Sequence, residues 1–222
     1  MEDIVLLILI IVLPLIAQAK VKSAYNKYSK IENKAHLTGK DVARMILDKN
    51  GLSNVQIGQV AGELSDHYDP KSKYVNLSKK IYEDTSIASL AVAAHECGHA
   101  IQDKEAYSYL TLRSKLVPVV NITSKIASVF IIIGFISQIL DIITIGIVLL
   151  MVGLFFQLIT LPVEFDASKR ARLQLESCGL VVNEDIQGTK KVLDAAALTY
   201  VAGFLATALQ ILRLVLLSRN RR

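Results

Sequence analysis

Two histidines four residues apart, with a glutamate directly after the first, stand in the run His95-Glu96-Cys97-Gly98-His99. On an α-helix, residues i and i+4 stack one turn apart on one face, so both imidazoles can reach a single metal ion. Neutral imidazole suits Zn²⁺, and a catalytic zinc takes three protein ligands while keeping one position open for water. Glu96 is placed to accept that water's proton. The chain has only four histidines, so two at this spacing around a carboxylate weigh against a chance match in a buried helix. The expected cofactor is one Zn²⁺ per chain, held by His95, His99 and a third donor from elsewhere.

The elements that must position these groups fall into a chain of mixed character. Of the 222 residues, 52% are hydrophobic and 20% charged. That is too apolar for an ordinary soluble domain and too charged to be membrane throughout. The expected fold is mainly α with a small β element, a polytopic membrane protein carrying a zincin-like metallopeptidase domain. Net charge is +5, but the basic residues lie beside apolar stretches, so lipid headgroups are expected partners and nucleic acid is not. Cys97 and Cys178 make neither a disulfide framework nor a C-x-x-C site.

Residues 1–19 read as an N-terminal transmembrane anchor. Ala17-Gln18-Ala19 resembles a signal-peptidase site, yet Met1-Glu2-Asp3 offers no basic residue, which favours an uncleaved anchor. Residues 20–115 form the expected catalytic region. Thr38-Gly-Lys-Asp41 reads as a capping box opening a short helix that ends near Asn50-Gly51. Val55–Val60 and Tyr74–Ser78 read as strands, the second following a turn at Asp69-Pro70-Lys71-Ser72. The histidine helix is expected to start at Asp84, Thr85 or Ser86, each an acceptable N-cap. Residues 116–162 read as a transmembrane helical hairpin interrupted at Asp141, and 163–194 as a polar helical segment. Residues 195–222 read as a last span with the basic tail Ser218-Arg-Asn-Arg-Arg222.

A hairpin between 115 and 163 returns residues 163–194 to the compartment of the histidines. Lys20, Lys22, Lys27, Arg113, Lys115, Lys169, Arg170 and Arg172 favour the cytoplasm for that side, while the C-terminal arginines argue the other way. This topology selects the third donor. Asp103 shares the face of His95, but about 12 Å further along the axis, and three ligands in line on a straight helix cannot form a tetrahedron. His67 and several acids are also candidates. Glu164, in Leu161-Pro-Val-Glu-Phe-Asp-Ala-Ser168, emerges on the side of the histidines and is the expected ligand; the alternative is a carboxylate that only marks the end of a span.

Three strings in order, Glu63-Leu-Ser-Asp-His-Tyr-Asp-Pro70, Ala93-Ala-His-Glu-Cys-Gly-His-Ala-Ile-Gln102 and Leu161–Ser168, with their flanking spans, resemble the YugP-type family of neutral, membrane zinc metallopeptidases. The resemblance covers nearly the whole chain. It implies a bacterial, multi-pass cell-membrane peptidase, broadly similar to gluzincin membrane proteases that process prenylated or misfolded membrane proteins. In that wider group the third ligand is a glutamate, and a second acid four residues on orients a histidine. Here position 168 is serine and the nearest acid is Asp166, which on an ideal helix points roughly opposite to Glu164. Asp166 is thus either an orienting acid or the partner in a swap of roles with Glu164.

The expected reaction is hydrolysis of peptide bonds in membrane or membrane-associated proteins, with Glu96 moving the proton. The strand Tyr74–Ser78 is expected to receive an extended substrate along a free edge. Tyr68, Tyr107, Tyr200 and His67 are unranked candidates to stabilise the oxyanion. His67 and Tyr68 would line the substrate cleft, or His67 would serve only as a turn residue. Cys97, about 200° around the helix from His95, should pack; Cys178 is an ordinary thiol. Lys125 should snorkel or face the bundle. Two rival readings remain. A non-catalytic zinc-binding scaffold needs a fourth protein ligand, and a metal transporter needs polar ligands within the spans, where few occur.

Overall fold

The computed structural model describes residues 2–219; residues 220–222 of the expected basic tail lie outside them. In chain order the elements are α1 (Glu2–Tyr28), α2 (Gly39–Lys49), β1 (Gln56–Val60), β2 (His67–Asp69), β3 (Tyr74–Ser78), α3 (Lys79–Glu83), α4 (Ile87–Lys104), α5 (Ser108–Ser137), α6 (Leu140–Ser177) and α7 (Asn183–Arg219). The protein is mainly helical with one small sheet. It divides into two compact units. One is formed by Ala19–Leu110 and Val163–Leu198, the other by the remaining described residues.

In the first unit, α4 is the buried centre. Ser86 caps it by accepting from the Ser89 N–H (3.1 Å), so the last of the three expected N-caps is the one used. The chain after α1 pins this end: Asn33 N–H donates to the Thr85 carbonyl and Ile87 N–H to that of Ile31. Ala88, Ala91, Ala93 and Ala94 are buried. Alanine favours the helix while keeping it slim, so neighbours can approach on several sides. One neighbour is α2, opened by the expected capping box, in which Asp41 N–H donates to Thr38 Oγ1 and Thr38 N–H to Asp41 Oδ2. Its face of Val42, Ala43, Ile46 and Leu47 is sealed in the core that α4 also enters. Each Ile or Leu buried there stabilises the unit by about 1.5–3 kcal/mol.

The sheet departs from expectation. Besides the two anticipated strands it contains β2, too short for its alternation to show in the sequence. β3 is central, pairing in parallel with β1 and antiparallel with β2. Val75 and Leu77 of β3 are buried, as befits a middle strand. The expectation that an extended substrate adds along a free edge of β3 is therefore overturned: β1 takes one edge along Tyr74–Ser78, and β2 takes the other along Tyr74–Asn76.

In the second unit, α5 and α6 join through residues 138–139 and pack antiparallel. A Cβ on Gly134 would lie 2.6 Å from Ile143, and one on Gly146 equally close to Ile131. Glycine is what permits that approach. Leu214 of α7 joins Ile143 and Ile147 in a small apolar cluster, and Arg213 makes a forked ion pair with Asp3 at 2.8 and 3.3 Å. Helices α1, α5, α6 and α7 are each long and apolar enough to cross a membrane. Exposed apolar side chains such as Ile4, Ile8, Ile132 and Val148 suit contact with lipid.

The helices run on past the points where hydropathy falls. α1 continues to Tyr28, and α6 passes through Pro162 to Ser177. Proline removes one helix hydrogen bond but its fixed φ is close to helical, so the change in polarity at 163 is no helix end. Glu164 consequently projects from the interior of a long helix.

Candidate metal centre

His95 and His99 leave α4 one turn apart, with ring centroids 4.8 Å apart and planes at 85°. Both present Nε2 to a single oxygen of Glu164, Oε2, at 3.3 and 3.6 Å. Among the described residues these three form a group of potential ligands whose donor atoms all lie within 4.8 Å. Donors held about 2.0–2.1 Å from a tetrahedral zinc stand about 3.3 Å apart, so the spacing fits. So does the chemistry, two imidazoles and one carboxylate. Glu164 is only 2% exposed, a burial that an anionic carboxylate tolerates when cations or donors face it.

The approach of α6 to α4 explains how Glu164 arrives. Glu164, Ala167, Ser168, Ala171 and Leu175 form one buried stripe at helical spacing. The stripe is small where it matters. A Cβ on Gly98 would stand 2.6 Å from the Ala167 carbonyl oxygen and 3.2 Å from its Cα and carbonyl carbon. Gly98 lies inside the His-to-His run, so backbone contact between the helices occurs beside the two imidazoles.

The far sides of the rings are also held. Ser168 Oγ lies 3.2 Å from His95 Nδ1, and Gln102 Oε1 lies 3.0 Å from His99 Nδ1. The Gln102 Nε2 donates to the Val163 carbonyl and to Asp166 Oδ2, both at 2.8 Å. Asp166 also accepts from Arg170 Nε (2.5 Å), and Arg170 Nη1 reaches Glu105 at 2.6 Å. Asp166 thus touches His99 only through Gln102, in keeping with its outward direction on α6. Gln102 was not among the residues singled out from sequence; Ser168 stands where the wider group carries an acid that orients a histidine, and it is the residue that reaches His95. Gln102 lies at i+3 from His99, on the same helix face, which is the signal that could have found it.

Glu96 is buried, and that burial pushes its carboxyl up to about 7. The Glu164 and Asp66 charges push the same way, while His95 and His67 pull down, so residues 66 and 67 lie within electrostatic reach of it. His67 itself is exposed: its ring lies 2.8 Å from the Ser65 carbonyl through Nδ1 and 3.3 Å from the Asn76 amide through Nε2. Tyr68 turns elsewhere, its hydroxyl donating to Asp103 Oδ2 (2.7 Å), which also pairs with Lys73. Asp103 therefore closes β2 onto the end of α4 and stands outside the ligand group. The Tyr107 ring lies against Arg170 (5.9 Å), and Tyr200 belongs to the other unit. Cys97 is packed as expected, its thiol directed at the Ala43 carbonyl (3.6 Å) and pushed up by burial.

Comparisons with known proteins bear on the family of the whole chain. Residues 3–219 match a family described as "Putative neutral zinc metallopeptidase". The chain is 48% identical over 206 residues to a protein of Bacillus subtilis strain 168 named "Putative membrane protease YugP", covering 93% of this chain and 92% of that one. No solved structure matches.

Proposed function

From the premise that this chain belongs to the neutral zinc metallopeptidase family, we propose that it is a membrane-embedded, zinc-dependent endopeptidase acting on membrane or membrane-associated proteins. The observation that carries this reading is the convergence of His95 Nε2, His99 Nε2 and Glu164 Oε2, with Glu96 buried beside them. These three side chains would hold the metal. Bound zinc supplies Lewis acidity, which polarises a scissile carbonyl and lowers the pKa of water towards neutrality.

The chain's own part is proton handling and alignment. Glu96 takes the proton of the attacking water and delivers it to the leaving amine nitrogen. A carboxyl tuned close to neutrality suits both halves of that transfer, since it neither binds the proton too weakly nor retains it. Ser168 and Gln102 hold the outer nitrogens of the two imidazoles. The lack of a fourth His, Cys, Asp or Glu in the group, among the described residues, supports an open catalytic position over a closed structural one.

Topology follows the same reading. Four single crossings place the N-terminal end of α1 and the C-terminal part of α7 on one side, and the Asp3–Arg213 ion pair supports that pairing of ends. On this reading the site faces the opposite side, and the lysines and arginines at 20–27, 113–115 and 169–172 favour the cytoplasm for it over the pull of the C-terminal arginines.

The test uses the full-length protein in detergent with a library of peptides drawn from membrane proteins. A chelator should suppress cleavage at least tenfold, and one equivalent of Zn²⁺ should restore it. Cleavage indifferent to chelation would remove the metallopeptidase reading.

A further inference from the structure

Lys125 stands in the middle of α5. At the helical rise it lies about 15 Å from Lys115 and about 18 Å from Ser137, near the two ends of the apolar stretch. In a hydrocarbon layer about 30 Å thick that is close to the centre, further from either interface than a lysine's four-carbon stem can reach. Snorkelling is thereby ruled out. Nor does Lys125 face the bundle. Gly146 of α6 approaches α5 at Ala127, a Cβ on that glycine standing 3.3 Å from the Ala127 carbonyl oxygen. Lys125 is about 200° round the helix from Ala127, and it is exposed. Asn121 and Ser128, one turn to either side, share its face and are exposed too. Ile122, Ile126 and Val129 flank them and are likewise uncovered.

A charge in mid-membrane is costly, and side chains of this kind pair with something. Arg213 of α7 meets Asp3. Lys125 and Asn121 have no hydrogen-bond or ion-pair partner among the described residues. The hairpin holds no counter-ion for them, since α5 contains no Asp or Glu and α6 none between Ile142 and Val163. Lipid chains carry no acceptor. A second copy related by a two-fold axis would set Lys125 against its own equivalent, and like charges oppose association. An acid carried into the membrane by another helix meets every one of these conditions.

We propose that the outer face of α5, centred on Lys125 with Asn121 and Ser128 beside it, receives a membrane-spanning segment of the substrate that carries a carboxylate near its middle. The inference names the substrate class of the peptidase proposed above and rests on that reading. On the same topology, a segment lying along α5 leaves the bilayer on the side of the metal centre. The ammonium and the carboxylate offset each other's desolvation, Asn121 and Ser128 donate to the acid's remaining lone pairs, and Ile122, Ile126 and Val129 pack against the rest of the segment.

The experiment measures binding to the full-length protein in lipid nanodiscs. The probes are fluorescent leucine–alanine helices of about 20 residues, with Glu, Lys or Leu at the centre and no tail beyond the bilayer to be cut. The wild type should favour the Glu probe over the Leu probe on the order of tenfold. Lys125→Met should abolish that preference, and Lys125→Glu should replace it with a preference for the Lys probe. Zinc content near wild type shows that both variants fold. Equal binding of the Glu and Leu probes by the wild type overturns the proposal, as does a Glu preference that persists in Lys125→Met. Efficient joining of Ser128→Cys chains to one another on oxidation would place a second copy on this face and overturn it too. Probe binding is read without cleavage, so a failure of the peptidase reading, seen as cleavage indifferent to chelation, is distinguished from a failure here.

Discussion

Glu96→Gln is expected to abolish peptide cleavage, lowering kcat by about two to four orders of magnitude, the range contributed by a positioned general base. Glutamine matches glutamate in shape but accepts no proton at neutral pH, so the metal ligands and their packing should survive. Zinc content near wild type with cleavage lost is the expected pair of results. The pH profile carries a second expectation. Glu96 must be ionised to take a proton, and burial raises its pKa, so kcat/KM should rise with pH and level off above about 7. A bound cation nearby favours the charged form, which places the midpoint of this acid limb at or below that value. A Glu96→Gln protein that cleaves at the wild-type rate would remove Glu96 from the mechanism.

The sequence exposed the parts of this centre whose chemistry is local. His95, Glu96 and His99 needed only helical periodicity, and the caps at Thr38 and Ser86 needed only a side-chain oxygen near a helix start. Glu164 was reached by a longer chain of reasoning, from the number of crossings to the side on which an acid emerges; the structure brings it to the imidazoles. What stayed hidden depends on contacts between distant segments. β2 is three residues long and exists because β3 offers it an edge. Gln102 is an ordinary helix residue until α6 supplies Val163 and Asp166 as its acceptors. The change in composition at Pro162 coincides with the division between the two units, but nothing in it shows that one helix runs through, since a long packed helix tolerates the loss of one hydrogen bond.

Gly98→Ala is the second large effect. On an exposed helix this change would stabilise by about 1 kcal/mol, because alanine is the better helix former. Here the sign should reverse. The new methyl group would stand 2.6 Å from the Ala167 carbonyl oxygen, and both groups are backbone-bound, so neither can swing aside. The helices must separate, at a destabilisation of about 1–3 kcal/mol for overpacking of this kind. Because Glu164 and Ser168 flank Ala167 on α6, the same displacement withdraws the third donor and the partner of His95 Nδ1 together. Zinc affinity should fall on the order of 10- to 100-fold, comparable to losing the supporting shell of a metal site. Thermal unfolding and zinc titration of the purified variant check both parts. A variant as stable as wild type with unchanged zinc affinity would show that close approach at Gly98 does not position the centre.

The most direct measurement is the zinc content of the purified full-length protein beside its Glu164→Ala variant, by elemental analysis after equilibration with limiting zinc. Three converging donors predict one zinc per chain in the wild type and a loss of stoichiometric binding in the variant, since two imidazoles alone leave the cage incomplete. Equal, stoichiometric zinc in both proteins would contradict the assignment of Glu164 and, with it, the centre described here.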